Sequence, residues 1–254
     1  MIDILLPAFF LSLVLLGIHS WFGLRIIERG IIFTDLAIGQ MAALGAAISL
    51  LLFHGDYLYP VSLSCAMAGA GLIAWFAPRH KHLEALIGLI YAMGYSAVFI
   101  LLSRVPHGME SFSNLMAYDI IFTEWSSILY TALLYIIIGM LLYSLNRRLN
   151  ANGREILFFA AFAVTVTSSV KLAGVLVVFA ILLGPAFIAL RIAKTNRAPS
   201  LLKAQPVITA WITGVIINAA AIIFSYYLDM PAGYSVVFIN SLAAVTAGIV
   251  LKDV

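Results

Sequence analysis

The chain has 254 residues, of which 64% are hydrophobic and 10% charged, with a net charge of +3. A soluble domain is roughly half apolar and about a quarter charged. The composition therefore excludes a water-soluble globule, a nucleic-acid binder and a disordered segment. Its one cysteine, Cys65, excludes a disulfide framework or a thiolate metal site within one chain.

In chain order, nine stretches hold no Asp, Glu, Lys or Arg: Ile4–Leu24, Leu36–Phe53, Tyr57–Ala77, Ala85–Ser103, Trp125–Asn146, Ile156–Val170, Leu172–Leu190, Ala204–Leu228 and Met230–Leu251. A helix needs about 20 apolar residues to cross the hydrocarbon layer. The stretches lack the alternation of barrel strands. The expectation is an all-α membrane protein, a polytopic bundle of about nine helices. The sixth stretch is short at 15 residues, and only Lys171 separates it from the seventh. It reads as one arm of a tight hairpin or a broken pair; merging the two would leave eight crossings.

Basic residues collect on the cytoplasmic side of a membrane. Arg25, Arg29, Arg79, Lys81, Arg147, Arg148, Arg154, Arg191, Lys194, Arg197, Lys203 and Lys252 fall in one set of loops, and only Arg104 and Lys171 in the other. This split predicts nine crossings, with the N-terminus outside and the C-terminus in the cytoplasm. The N-terminus lacks the basic start of a cleaved signal, so the first span is expected to stay. With no linker or repeat visible, residues 1–254 read as a single membrane domain.

The second span contains Gly39, Ala43 and Ala47 at intervals of four, with Ala42 and Ala46 alongside. Small residues at this spacing let helix backbones approach closely in lipid. The span also carries Asp35 and Gln40, and His19 lies in the first. An ionisable group in a span is costly and is a functional candidate by default. Each has a plainer alternative: Asp35 as a helix-end residue paired with Arg29 or Arg25, Gln40 as an interhelical hydrogen bond, and His19 as a packing residue.

The long outer segment 104–124 holds His107, Glu110, Asp119 and Glu124, which could attract or receive a divalent cation or form an ordinary polar loop. Residues 114–122 read as a short helix near the membrane surface. Gly184-Pro185 lies deep in the seventh span, where proline removes a backbone donor and kinks a helix. No phosphate-binding Gly-x-x-x-x-Gly-Lys loop, zinc-protease motif or nucleophile elbow is present. The chain is therefore read as a non-enzyme that cannot hydrolyse ATP by a phosphate loop of its own.

The block from Val170 and Lys171 through Gly174 to Pro185 resembles the late-span signature of the metal-ion ABC permeases of the zinc, manganese and iron uptake type. The block from Arg29 through Asp35 to Gly45 resembles their second span. Leu115–Phe122 resembles their short outer helix. The resemblance implies a fold like that of the cobalamin and metal-chelate importers, working as a homodimer in the bacterial inner membrane. It implies a separate cytoplasmic P-loop ATPase that holds the ATP, a metal-binding receptor outside, and no cofactor held by this chain. The cargo implied is a divalent metal, zinc before manganese or iron, moved by alternating access. Arg147, Arg148 and Arg154 are the expected contacts to the ATPase, and Asp35, Gln40 and His19 the metal path. The family's Asp-x-x-x-His pair, aligned through Gly45, falls here on Leu36 and Gln40, which marks a divergent branch. The alternative is a stand-alone secondary transporter or channel for a small cation.

Overall fold

A computed structural model describes residues 2–79, 82–110, 112, 120–195 and 205–251. The described residues form nine long helices: α1 (Ile2–Arg29), α2 (Thr34–Phe53), α3 (Leu58–Phe76), α4 (Leu83–Leu102), α5 (Trp125–Leu145), α6 (Ala151–Ala173), α7 (Val175–Lys194), α8 (Pro206–Tyr227) and α9 (Ala232–Val250). Each is long and apolar enough to cross a membrane. A 3₁₀ turn, Ile120–Phe122, precedes α5. Spanning segments in lipid must satisfy their own backbone hydrogen bonds, and continuous helices do so. The all-α, nine-span reading holds, and the chain is a multi-pass membrane protein.

The sixth helix differs from expectation at both ends. It starts at Ala151, several residues before the apolar run, because Asn150 caps it. The Asn150 Oδ1 accepts the Gly153 N–H at 2.8 Å. A capping asparagine satisfies one of the amides that a helix start leaves open. At its other end the helix runs through Lys171 to Ala173 and stops at Gly174, whose φ is 80°. Side chains rarely adopt that backbone, so glycine is the residue that permits the break. Lys171 stays in the last turn of α6, where a cation complements the helix dipole. Its ammonium lies 5.5 Å from the centre of the Tyr59 ring. The α6 helix is thus 23 residues long, a full span, and a single residue separates it from α7.

The described chain divides into two compact units. One contains α2, α3, α4, α5 from Leu134 and α6 as far as Lys171. Within it α2 packs against both α3 and α4. A Cβ added at Gly45 would lie 2.5 Å from the Ser62 Cα and the Val61 carbonyl oxygen, so two backbones touch there. Gly69 of α3 meets Met41, and Gly94 of α4 meets Gln40. Higher up, Ala43 and Ala47 cluster with Val98 and Leu102. These pairs advance together, so α2 and α4 run parallel, as two helices separated by one full crossing should. Tyr135 of α5 ties to α6 through its hydroxyl, 2.5 Å from the Ser169 Oγ and 3.2 Å from the Ser168 Oγ.

The other unit contains α1, the 3₁₀ turn, α5 as far as Leu133, α7, α8 and α9. Here α7 packs against α1, α8 and α9. Gly23 of α1 lies directly against the Leu182 carbonyl, and Gly184 of α7 against Asn240 of α9. Leu24, Ala186, Ala189 and Ala210 form one buried cluster. The α7 helix continues through Pro185, which is fully enclosed in the protein. The Trp211 indole N–H donates to the Gly17 carbonyl at 3.1 Å. Two buried asparagines join α8 to α9: the Asn240 amide donates to the Asn218 Oδ1 at 2.9 Å and to the Val236 carbonyl at 2.9 Å.

Candidate functional site

The start of α2 is polar and poorly capped by its own residues. Its N-cap position is Phe33, which has no side-chain oxygen, and the Thr34 hydroxyl turns back to the Ile31 carbonyl at 2.7 Å. The Phe33 N–H donates instead to the Glu84 Oε1 of α4 at 3.2 Å. One turn inside, Asp35 is 1% exposed, and neither carboxylate oxygen has a hydrogen-bond partner among the described residues. The Glu84 Oε2 is likewise enclosed and without a partner. Both carboxylates sit in the first turns of their helices, where the helix dipole favours negative charge. Arg25, one of the partners the sequence offered Asp35, lies 3.5 Å from Glu28 instead.

Gln40 lies five residues further along α2, half-buried, with its backbone against Gly94. Five residues turn a helix by roughly 140° from one face to another. Asp35 and Gln40 therefore share a helix but not a face. His19, in the other unit, is fully buried, and its Nδ1 lies 2.8 Å from the Leu15 carbonyl. A carbonyl can only accept, so Nδ1 carries a proton.

The described residues of the outer segment do not converge on one point. The His107 Nδ1 lies 3.6 Å from the Glu110 Oε2, both largely exposed. Glu124, just before α5, accepts the Ser126 hydroxyl at 3.2 Å. Asp119 and most of the expected outer helix lie outside the described residues; Ile120–Phe122 form the 3₁₀ turn. Among the described residues no three His, Cys, Asp or Glu side chains converge as a metal site. Of the basic trio, Arg147 stacks over the Tyr143 ring at 5.2 Å, Arg148 is exposed in the turn after α5, and Arg154 is exposed in the first turn of α6.

Three polar features were not picked out from the sequence: Glu84, the Asn218–Asn240 pair and the Tyr135 hydroxyl cluster. An asparagine or tyrosine inside an apolar run was the available signal for the last two. Glu84 sits at a span boundary, where a charged residue is unremarkable, and only the neighbouring helix gives it a role.

A family model described as the ABC 3 transport family matches residues 143–251. The matched segment covers α6 through α9, including Gly174, Gly184 and Pro185. The fold of the whole chain agrees. The structure of PsaBC from Streptococcus pneumoniae in complex with Fab is similar with a TM-score of 0.73 at 16% identity, over 98% of this chain and 92% of that one. An inward-facing structure described as a metal-chelate type ABC transporter gives a TM-score of 0.65 at 15% identity, over 95% and 84% of the two chains. No curated protein matches the chain by sequence. The likeness to these two structures shows the fold of the chain.

Proposed function

We propose that this chain is the membrane-spanning subunit of an ABC importer for a divalent metal ion, with zinc ahead of manganese and iron. The observation that carries the transport class is the ABC 3 match over α6–α9. The cation charge of the cargo is supported by Asp35, a buried carboxylate with no partner of its own. A lone buried charge is destabilising unless something compensates it. A passing cation meets that need transiently, and transient binding is what conduction requires.

In this reading the chain supplies the path and a separate cytoplasmic ATPase supplies the work. Arg147, Arg148 and Arg154 are available to acidic positions on that ATPase. A receptor outside delivers the metal, and a second copy completes the permease. The chain sits in the inner membrane, N-terminus outside, as the distribution of Lys and Arg favours. Close glycine contacts at Gly45, Gly23 and Gly184 let helices slide or rock as rigid bodies during alternating access.

The test is uptake in cells lacking every other ABC ATPase. Metal uptake is expected only when the chain is co-expressed with its ATPase, and the purified chain is expected to hydrolyse no ATP. Uptake by the chain alone, driven by an ion gradient in vesicles, contradicts the proposal and favours a secondary transporter or channel. Gln40 tunes the choice of metal: an amide oxygen is a harder, weaker ligand than imidazole. Gln40→His is expected to tighten zinc retention and slow its release. An unchanged metal dependence counts against a place for Gln40 on the path.

A further inference from the structure

We propose that Glu84 is a positioning residue that clamps the start of α2 and thereby sets where Asp35 stands. The inference rests on the reading of Asp35 as part of a cation path, and adds a residue on another helix that controls it. A helix start leaves backbone amides open, and a local side chain normally closes one of them. In α2 no local side chain does so: Phe33 has no oxygen, and the Thr34 hydroxyl serves Ile31. Glu84 reaches across from α4 to take the Phe33 N–H at 3.2 Å.

The clamp does not act alone. From this bond the α2–α4 seam continues through Gln40 against Gly94 and through Ala43 and Ala47 beside Val98 and Leu102. The two parallel helices are thus packed along their length and pinned at one end. Asp35 lies two residues beyond the pinned amide, enclosed and unbonded, so nothing else polar fixes its carboxylate. Releasing the pin frees the first turn of α2, and with it the only part of the helix that orients Asp35. The second Glu84 oxygen, enclosed and unpartnered, keeps the glutamate from being a fully satisfied structural cap.

The experiment compares Glu84→Ala, Glu84→Gln and Asp35→Asn in the full chain co-expressed with its ATPase. Two quantities are read: hydrogen exchange at the Phe33 amide and the initial rate of zinc uptake. Glu84→Ala is expected to speed exchange at Phe33 about tenfold, the size of one lost hydrogen bond, and to lower uptake about fivefold. Glu84→Gln keeps an acceptor oxygen in place and is expected to hold both within about twofold of the native chain. Unchanged exchange in Glu84→Ala overturns the clamp. So does a Glu84→Gln variant that fails as badly as Glu84→Ala in exchange, because a charge and not the bond would then be responsible. Faster exchange with native uptake in Glu84→Ala, while Asp35→Asn abolishes uptake, overturns the positioning role and leaves the cation path standing. Native uptake in Asp35→Asn instead removes the path itself, and the positioning role with it.

Discussion

The start of α2 and the core of α7–α9 solve the same packing problem around different polar groups. In both, glycine lets helices touch: Gly45 against the backbone at Ser62, Gly184 against Asn240. Around α7 the buried Asn240 amide donates to Asn218 and to the Val236 carbonyl, while the Asn218 Nδ2 and the Asn240 Oδ1 have no partner among the described residues. At α2 the buried carboxylate of Asp35 meets no hydrogen-bond partner among the described residues. Polar groups that bond to each other serve as glue between helices. A charge that the fold leaves open costs stability, and persists where another role sustains it. Close packing is common to both regions; what sets the start of α2 apart is that its unbonded buried group is ionisable, where those of Asn218 and Asn240 are neutral amides.

The largest expected effect breaks the α2 side of this comparison. Asp35→Asn is expected to reduce metal uptake at least about tenfold while leaving the chain as stable or more so, because a buried charge becomes a neutral amide. Uptake assays read beside thermal unfolding in detergent decide it. A variant that loses stability and keeps uptake would place Asp35 with the scaffold.

Gly45→Leu comes next. Its Cβ would lie 2.5 Å from backbone atoms of α3, which cannot rotate away. Overpacking of this kind costs about 3 kcal/mol, visible as poor assembly or a lowered unfolding midpoint. Gly184→Ala faces the side chain and backbone of Asn240 at 3.3–3.4 Å and is expected to cost about 1 kcal/mol. Equal losses at the two sites would mean that the α2–α3 contact is looser than its geometry.

The smallest effect belongs to the glue itself. Asn240→Ala leaves the Asn218 Oδ1 without its donor, and side-chain hydrogen bonds in membrane bundles are worth about 1 kcal/mol. The loss is expected in stability, measured by denaturant titration in mixed micelles, with uptake following only as far as the amount of folded protein.

Much of the fold was legible before any coordinates. Eight of the apolar runs became helices close to their expected limits, because a crossing helix needs little more than length and the absence of charge. The sixth was legible in existence but not in extent. Its start depends on the Asn150 cap and its end on the positive φ of Gly174, local backbone features that a count of charges does not register. Asp35, Gln40 and His19 stood out because polar residues are rare in such runs. What each does in the bundle was not visible: Asp35 has no bonded partner, Gln40 rests on Gly94, and His19 bonds one turn back to Leu15. Whether the outer acids converge was not legible either, since sequence spacing across a loop carries no distance.

Composition by itself determined that this chain lives in a bilayer as a set of crossing helices, because burying so apolar a polymer leaves no other solvent for it. The order of its charges along the chain set where each helix could begin and end. Which helix lies against which was decided only in three dimensions. Glycine permits a contact without naming its partner, and a glutamate at the mouth of one helix becomes the cap of another only after the two are packed side by side.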